Sequence, residues 1–436
     1  MNEGMPAQSR VRETNVWYTA VFVCTMIIGS PAEPVVVTGA MVKPLLGTRI
    51  ERLNLTDAGG TPIPFQIDEI TPDGEYVCPL GKEPNTDDGN GVLDARDEIV
   101  FLRDDASPVE PVRGGPPRKN DKRRVTVTVG EGSEKRGVLL WEDPEGERSP
   151  ERYIQYDHAD RIVETPYYFA RFGVRRFHFV QAGIRDRGSE GYVPLTKELR
   201  VKIYLRVLWG LLPITYDEEN IVCLVKRFKV GPIRLIRRGD FHLNIGLWLK
   251  GSRAAVNQIC YAQMVRVPVY LHLPIRFSRL FGEAWIEMSP VLGSTARTYS
   301  FTVPRHDVSI PLGTADTLDT LLSRIPTHGL MSVNDGSNGY AWVLQADIPD
   351  HLMNGSGYVV QRPSKRGGIA HCGYRLTVGE LPRGNYLITN WVLFGADVPA
   401  NLARAYRTIV SPSTVTIDTT ATFNNAIDKV HAKARK

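Results

Sequence analysis

The sequence predicts an all-β protein, and three observations carry that prediction. Short runs alternate apolar and polar residues with the period of two that half-buried strands need. The 39 Gly and 30 Pro among 436 residues punctuate those runs closely, as turns do. Apolar stretches with helical period are scarce. The expected organisation is a β-sandwich over residues 33–148 and a larger β domain over residues 149–436, after a distinct segment 1–32.

Residues 34–38 and 49–55 read as strands, joined to the next by the turn Asp57-Ala58-Gly59-Gly60. Residues 62–69 follow as a strand whose prolines suit a sheet edge. Residues 98–102 are another strand. The stretch 103–124 is rich in Pro, Gly and charge and reads as a long exposed loop. Strands at 125–129 and 137–141 complete the first unit, and 142–150 reads as a linker. Beyond it, strands are expected at 167–172, 177–180, 199–207, 221–228, 241–249, 265–273 and 284–288. Closing strands follow at 358–361, 374–378, 386–394 and 413–418. Short helices are expected at 317–324 and 401–407, with a basic helical tail over 424–436.

The first 32 residues read as an export signal: Arg10 and Arg12, an apolar run from Val16 to Gly29, then the small-residue site Ser30-Pro31-Ala32. An uncleaved anchor is the alternative. Cys24 has no small residue before it, which excludes a lipoprotein acylation site. No later segment holds 18 uninterrupted apolar residues. The expected location is secreted or periplasmic. Four cysteines remain: Cys78, Cys223, Cys260 and Cys372. Their spacing fits no zinc pattern. Cys223 and Cys260 lie on strands read as neighbours and form the preferred disulfide, set against four buried free thiols.

Charge is the most uneven property of the chain. Residues 221–280 hold eleven Lys or Arg and one acid, Asp240, a local net of +10 where the whole chain carries +5. These basic residues alternate with apolar ones, so a sheet turning guanidinium groups outward is expected, and with it an anionic partner. Within this stretch, Lys229-Val230-Gly231-Pro232-Ile233-Arg234 marks a bend in a strand, followed by Arg237, Arg238 and His242. Upstream, Tyr167, Tyr168, Phe172, Phe177 and Phe179 interleave with Arg171, Arg175, Arg176 and His178. Aromatics beside arginines suit sugar rings and uronates, or stacked bases, and more often are simply core plus surface. The candidate ligand-binding residues are Arg234, Arg237, Arg238, His242, Arg176 and Tyr270.

The run from Thr86 to Asp97 resembles a twelve-residue calcium loop with its sixth-place glycine at Gly91. Oxygen ligands would fall on Asp88, Asn90, the Val92 carbonyl, Asp94 and Asp97. Thr86 departs from the usual first-place Asp, and Asp97 is shorter than the usual Glu. A polar turn without an ion is the alternative. A structural calcium is the one cofactor expected. No nucleophile elbow, zinc-protease helix or phosphate loop is present, and no set of His, Tyr and carboxylates fixes a mechanism.

Two passages resemble a known family. The stretch LNLTDAGGTPIPFQ, residues 53–66, is similar to the opening sandwich of secreted rhamnogalacturonan-lyase-like proteins. The stretch KVGPIR, residues 229–234, is similar to a strand of their galactose-mutarotase-like supersandwich domain. The resemblance implies that the larger domain is supersandwich-like. It transfers no catalytic residue, and the helical toroid of that family has no counterpart here. Three functions follow as expectations. The first is an exported binding protein for an anionic polysaccharide or another envelope polyanion. The second is a polysaccharide lyase acting on uronates, with Arg234 and Arg238 neutralising a carboxylate and His242 or Tyr270 taking the proton. The third is a structural envelope protein whose basic face meets anionic lipid headgroups at the membrane periphery or another protein. Export argues against nucleic acid as partner.

Overall fold

A computed structural model gives the architecture. It describes residues 32–108, 123–174, 178–185, 191–208, 210–218, 220–244, 250–273, 276–279, 281–293, 298–304, 308–312, 320–322, 328–336, 338–361, 370–395, 406–407 and 409–418. The segment 1–31 and the tail 424–436 fall outside this set, as does Arg176.

The described chain is built almost wholly of antiparallel strands, which join into four sheets. The first sheet runs Leu53–Asp57, Arg136–Glu142, Arg124–Val129, Val415–Asp418, with Ser107–Pro108 beside it. The second has only Pro34–Thr38, Glu98–Leu102 and Phe65–Asp68. The third and fourth have ten strands each. The third carries Leu80–Gly81, Ile221–Val230, Arg234–Asn244, Lys250–Tyr261, Met264–Leu273 and Gly384–Gly395 in that lateral order, then four more. The fourth carries Gly357–Gln361, His371–Thr377, Phe281–Leu292, Tyr192–Val207, Phe179–Arg185 and Tyr168–Phe172 as lateral neighbours.

Alternation decides how these sheets stack. In Glu98–Leu102, Ile99 and Phe101 enter a core shared with Leu53, Leu55, Val127 and Leu140 of the first sheet. Val100 and Leu102 point the other way, into a core shared with Ile236, Ile259, Tyr261 and Met264 of the third sheet. The third sheet turns its opposite face, with Leu235, Cys260, Val265 and Phe394, onto Tyr168, Leu205, Ala284 and Tyr374 of the fourth. The result is four layers in order, with the small second sheet buried on both faces. Burial on two faces is why Pro34–Thr38 and Glu98–Leu102 read as nearly continuous apolar runs, while Phe65–Asp68 keeps Gln66 and Asp68 on one face.

Several expectations change at this level. The strand expected at 413–418 closes the first sheet, with Val415 opposite Val129, although it was read as part of the larger domain. Residues 320–322 form a strand within the stretch read as a helix. Gly231-Pro232-Ile233 is the turn of a tight hairpin between Ile221–Val230 and Arg234–Asn244, with Gly231 N–H donating to the Arg234 carbonyl at 3.1 Å. Cys223 and Cys260 are on strands separated by Arg234–Asn244, and all four described cysteines are buried free thiols.

Candidate functional site

The arginine-rich segment faces inward. Strand Arg234–Asn244 is covered on both sides, so its alternation divides the arginines between two interiors. Arg234 and Arg237 are 0% and 1% exposed. Arg234 faces the second layer, where alternation in Phe65–Asp68 sends Phe65 and Ile67 into the first core and Gln66 and Asp68 the other way. Arg234 Nε donates to Asp68 Oδ2 at 2.8 Å, and its Nη2 reaches Glu98 Oε2 at 2.6 Å. Lys229 Nζ lies 2.9 Å from Asp68 Oδ1. Gln66 Nε2 donates to both Asp68 oxygens, and its Oε1 accepts the Arg234 N–H at 3.0 Å. The rings of Tyr76 and Tyr261 lie against the guanidinium, and Tyr76 Oη donates to Glu98. Burial alone would push the Asp68 carboxyl up; Arg234 and Lys229 offset that and hold it below its ordinary value.

This network joins the two motifs that carried the family resemblance: Gln66 of PIPFQ bonds the backbone of the GPIR turn. Gly231 allows the approach, because a Cβ there would lie 1.8 Å from Gln66 Oε1. Two further basic residues, Arg227 and Arg238, both grip Glu75, and Lys226 bridges Glu83 and Asp240 at 2.8 Å each. Arg237 faces the fourth layer, 3.7 Å over the Phe172 ring and hydrogen-bonded to Gln258. Burial lowers its pKa.

The outward basic face expected from the sequence is therefore corrected at Arg234, Arg237 and Arg238, which are ligands of the protein's own side chains. The signal that could have shown this is in the sequence. Residues 57–98 carry eleven acids against Lys82 and Arg96, a block of opposite sign matching the basic one. The side chain of His242 lies outside the described residues, as does Arg176. Tyr270 is 60% exposed on Met264–Leu273, two strands across the third sheet from Arg234–Asn244.

The 86–97 loop is tied by its own side chains. Asp97 accepts from Ile70 N–H at 2.9 Å and Asp94 N–H at 2.7 Å, and Asn90 bonds Val92 N–H and Asp94, each at 2.8 Å. Glu69 Oε1, just beyond the strand Phe65–Asp68, accepts the N–H groups of Asn90 and Gly91 at 2.8 and 2.7 Å. Among the described residues, no three His, Cys, Asp or Glu side chains group as a metal site requires. Asp88 lies in the same loop, within the turn Thr86–Asp88.

A surface that sequence reading missed lies on the outer face of the fourth layer. Lys202, Tyr204 and Arg206 alternate outward on Tyr192–Val207, with Arg200 before them, and the three charged ones are exposed. Tyr204 pairs in register with Trp285, and their rings stack at 5.0 Å and 14°. Arg375 lies 4.2 Å over the other side of that indole, held by Glu287 at 3.1 and 2.7 Å. Lys202 Nζ sits 5.8 Å from the same ring. The signal was present as alternation in KIYLRV, but Trp285 and Arg375 come from strands far away in sequence.

No family model and no curated protein matches the chain. Among solved structures, an α-mannosidase from Enterococcus faecalis is similar over 82% of this chain and 41% of its own, at 10% identity and a TM-score of 0.41. The α-N-acetylgalactosaminidase NagBb from Bifidobacterium bifidum is similar over 59% of this chain and 37% of its own, at 14% identity and 0.34. The protein HI1317 is similar over 56% of this chain and 98% of its own, at 8% identity and 0.31. The chain spans less than half the length of the two glycosidases. These likenesses accompany the all-β architecture and say nothing of a ligand.

Proposed function

We propose that the chain is an exported binding protein for an anionic polysaccharide or another envelope polyanion, and that it binds on the outer face of the fourth layer. The observation that carries this is the Tyr204–Trp285 stack bordered by the exposed cations Lys202, Arg200 and Arg206, with Arg375, already paired with Glu287, lying over the indole. A sugar ring can lay its C–H face on the aromatic pair while carboxylate or sulfate groups meet the cations. Alternate residues of one strand spread Arg200, Lys202, Tyr204 and Arg206 over about 20 Å, room for several sugar units. Glu287 fixes Arg375 in place, which lowers the ordering cost of binding.

Binding is preferred to lyase chemistry for a physical reason. Arg234 and Arg238 already carry carboxylates of the chain and have no charge free for a uronate. Isothermal titration against polygalacturonate, alginate and heparin at low salt tests the reading. Trp285→Ala is expected to weaken binding about tenfold, and Lys202→Glu with Arg206→Glu to abolish most of its salt dependence. Absence of binding to every polymer, or full affinity in Trp285→Ala, would reject it. A rise in ultraviolet absorbance from unsaturated ends would return the lyase reading.

A further inference from the structure

We infer that the hairpin between Tyr192–Val207 and Leu212–Tyr216 is a wedge that enters the surface of a lipid bilayer containing anionic lipid. Its tip reverses the usual chemistry of a turn. Leu208, Leu211 and Leu212 are 57%, 81% and 50% exposed among the described residues and fall within one five-residue stretch at the tip. Trp209 lies outside the described residues. Soluble proteins scatter exposed leucines singly; a contiguous group at a protruding point marks an interaction site.

The backbone holds these side chains out. Leu208 has φ +53° and Gly210 φ +90°. A left-handed leucine is unfavourable without a reason to persist. Gly210 N–H bonds the Val207 carbonyl and Leu211 N–H the Leu208 carbonyl, each at 3.2 Å, so the turn is closed. Among the described residues the strand Leu212–Tyr216 pairs with residues 203–207, whose other edge pairs with Phe281–Leu292, so the turn after Val207 lies at the end of the sheet.

Charge at its base fits an anionic surface. Arg206 precedes the tip and is exposed. Val207 pairs with Phe281, and the turn Phe277–Arg279 just before that residue brings Arg276 and Arg279 to the same end, both exposed. Two acids share this end: Glu283 opposite Arg206, and Glu380 at 3.6 Å from Arg276. Leucines ahead of arginines is the order an interfacial element needs, with apolar groups among acyl chains and guanidinium groups at the headgroups. Among the described residues no helix is long and apolar enough to cross a membrane, so the contact inferred is peripheral. It stands apart from the polysaccharide reading, with which it shares Arg206, and its readout at position 211 is independent of the Tyr204–Trp285 stack.

The apolar run at 16–29 would itself bind vesicles, so the readout must be local. In the full chain with Cys24→Ser, Leu211→Cys is labelled with an environment-sensitive fluorophore; the other four cysteines are buried. A control label goes on Leu224→Cys, whose leucine is 44% exposed on the third sheet. With vesicles of phosphatidylcholine and phosphatidylglycerol, emission at position 211 is expected to shift blue and rise several-fold. Adding Arg206→Glu and Arg279→Glu should reduce that rise at least tenfold in vesicle affinity, while position 224 stays unchanged. An unchanged signal at 211, or equal changes at both positions, overturns the inference. So does a blue shift that grows with protein concentration without lipid, which would assign the tip to a contact between copies of this chain.

Discussion

Arg234 Nη2 sits 2.7 Å from Asp68 Oδ2, with both side chains fully buried. The pair ties the small second sheet to the ten-stranded third sheet across 166 residues of sequence. Removing one partner leaves the other charged and out of water. Asp68→Ala is expected to cost about 3–5 kcal/mol, read from urea denaturation. The double change Asp68→Leu with Arg234→Met should lie nearer the native value, because the charges it leaves without that partner, Lys229 and Glu98, both reach solvent. A single substitution that proved as mild as the double would show the pair to be incidental.

Gly231 gives a second, steric test of the same junction. Any side chain there meets Gln66. Gly231→Ala should destabilise by about 1–3 kcal/mol, as overpacking does. Adding Gln66→Ala should recover part of that loss, since the colliding amide is gone. Thermal melts of the three proteins decide this, and an additive double mutant would count against the contact.

Acid should act in two opposite steps. Burial pushes Asp105 up to about 6, despite the bond it accepts from Tyr153 Oη at 2.7 Å. Its folded pKa exceeds the unfolded value of about 4, so its contribution is full below that value and fades as pH rises through about 6. Asp68 is held low, so its contribution is present above about 4 and is lost as pH falls further, through its folded pKa. Stability should therefore gain from Asp105 between pH 6 and 4 and fall sharply below that range. Asp105→Asn should remove the first step and leave the second, measured by denaturation at a series of pH values.

The thiols supply a chemical prediction. Burial raises each of Cys78, Cys223, Cys260 and Cys372 to about 12. At pH 8 these four should resist a thiol reagent in the folded protein and react together once it is unfolded. A missing pair of thiols in the unfolded, unreduced protein would point to a disulfide.

Calcium can be decided by melting. Glu69, Asn90 and Asp97 already close the 86–97 loop through hydrogen bonds. A melting temperature that millimolar calcium leaves unchanged would reject the ion expected from the sequence. A rise that grows with calcium concentration and disappears with chelator would place an ion there.

Much of the strand pattern was legible, because alternation and turn residues are local properties. Strands at 34–38 and 98–102 and the Asp57–Gly60 turn follow directly from them. The direction of the arginines was not legible. A period of two says that Arg234 and Arg237 point to opposite faces; it does not say whether either face meets water. That depended on a three-stranded sheet folding over the third layer, with Asp68, Glu75 and Glu98 brought from more than a hundred residues away. The Trp285–Tyr204 stack was hidden for the same reason, since register between distant strands places it.

The strand Val415–Asp418 has a consequence for biogenesis. It seals a sheet whose other main strands belong to residues 53–142. A chain threaded N-terminus first must therefore hold that sheet open while nearly everything else is delivered. Until residue 415 arrives, Arg124–Val129 offers a bare hydrogen-bonding edge. Completion of that sheet thus waits for a strand from a distant part of the chain, and a chain interrupted before it carries its own visible mark for chaperones and proteases.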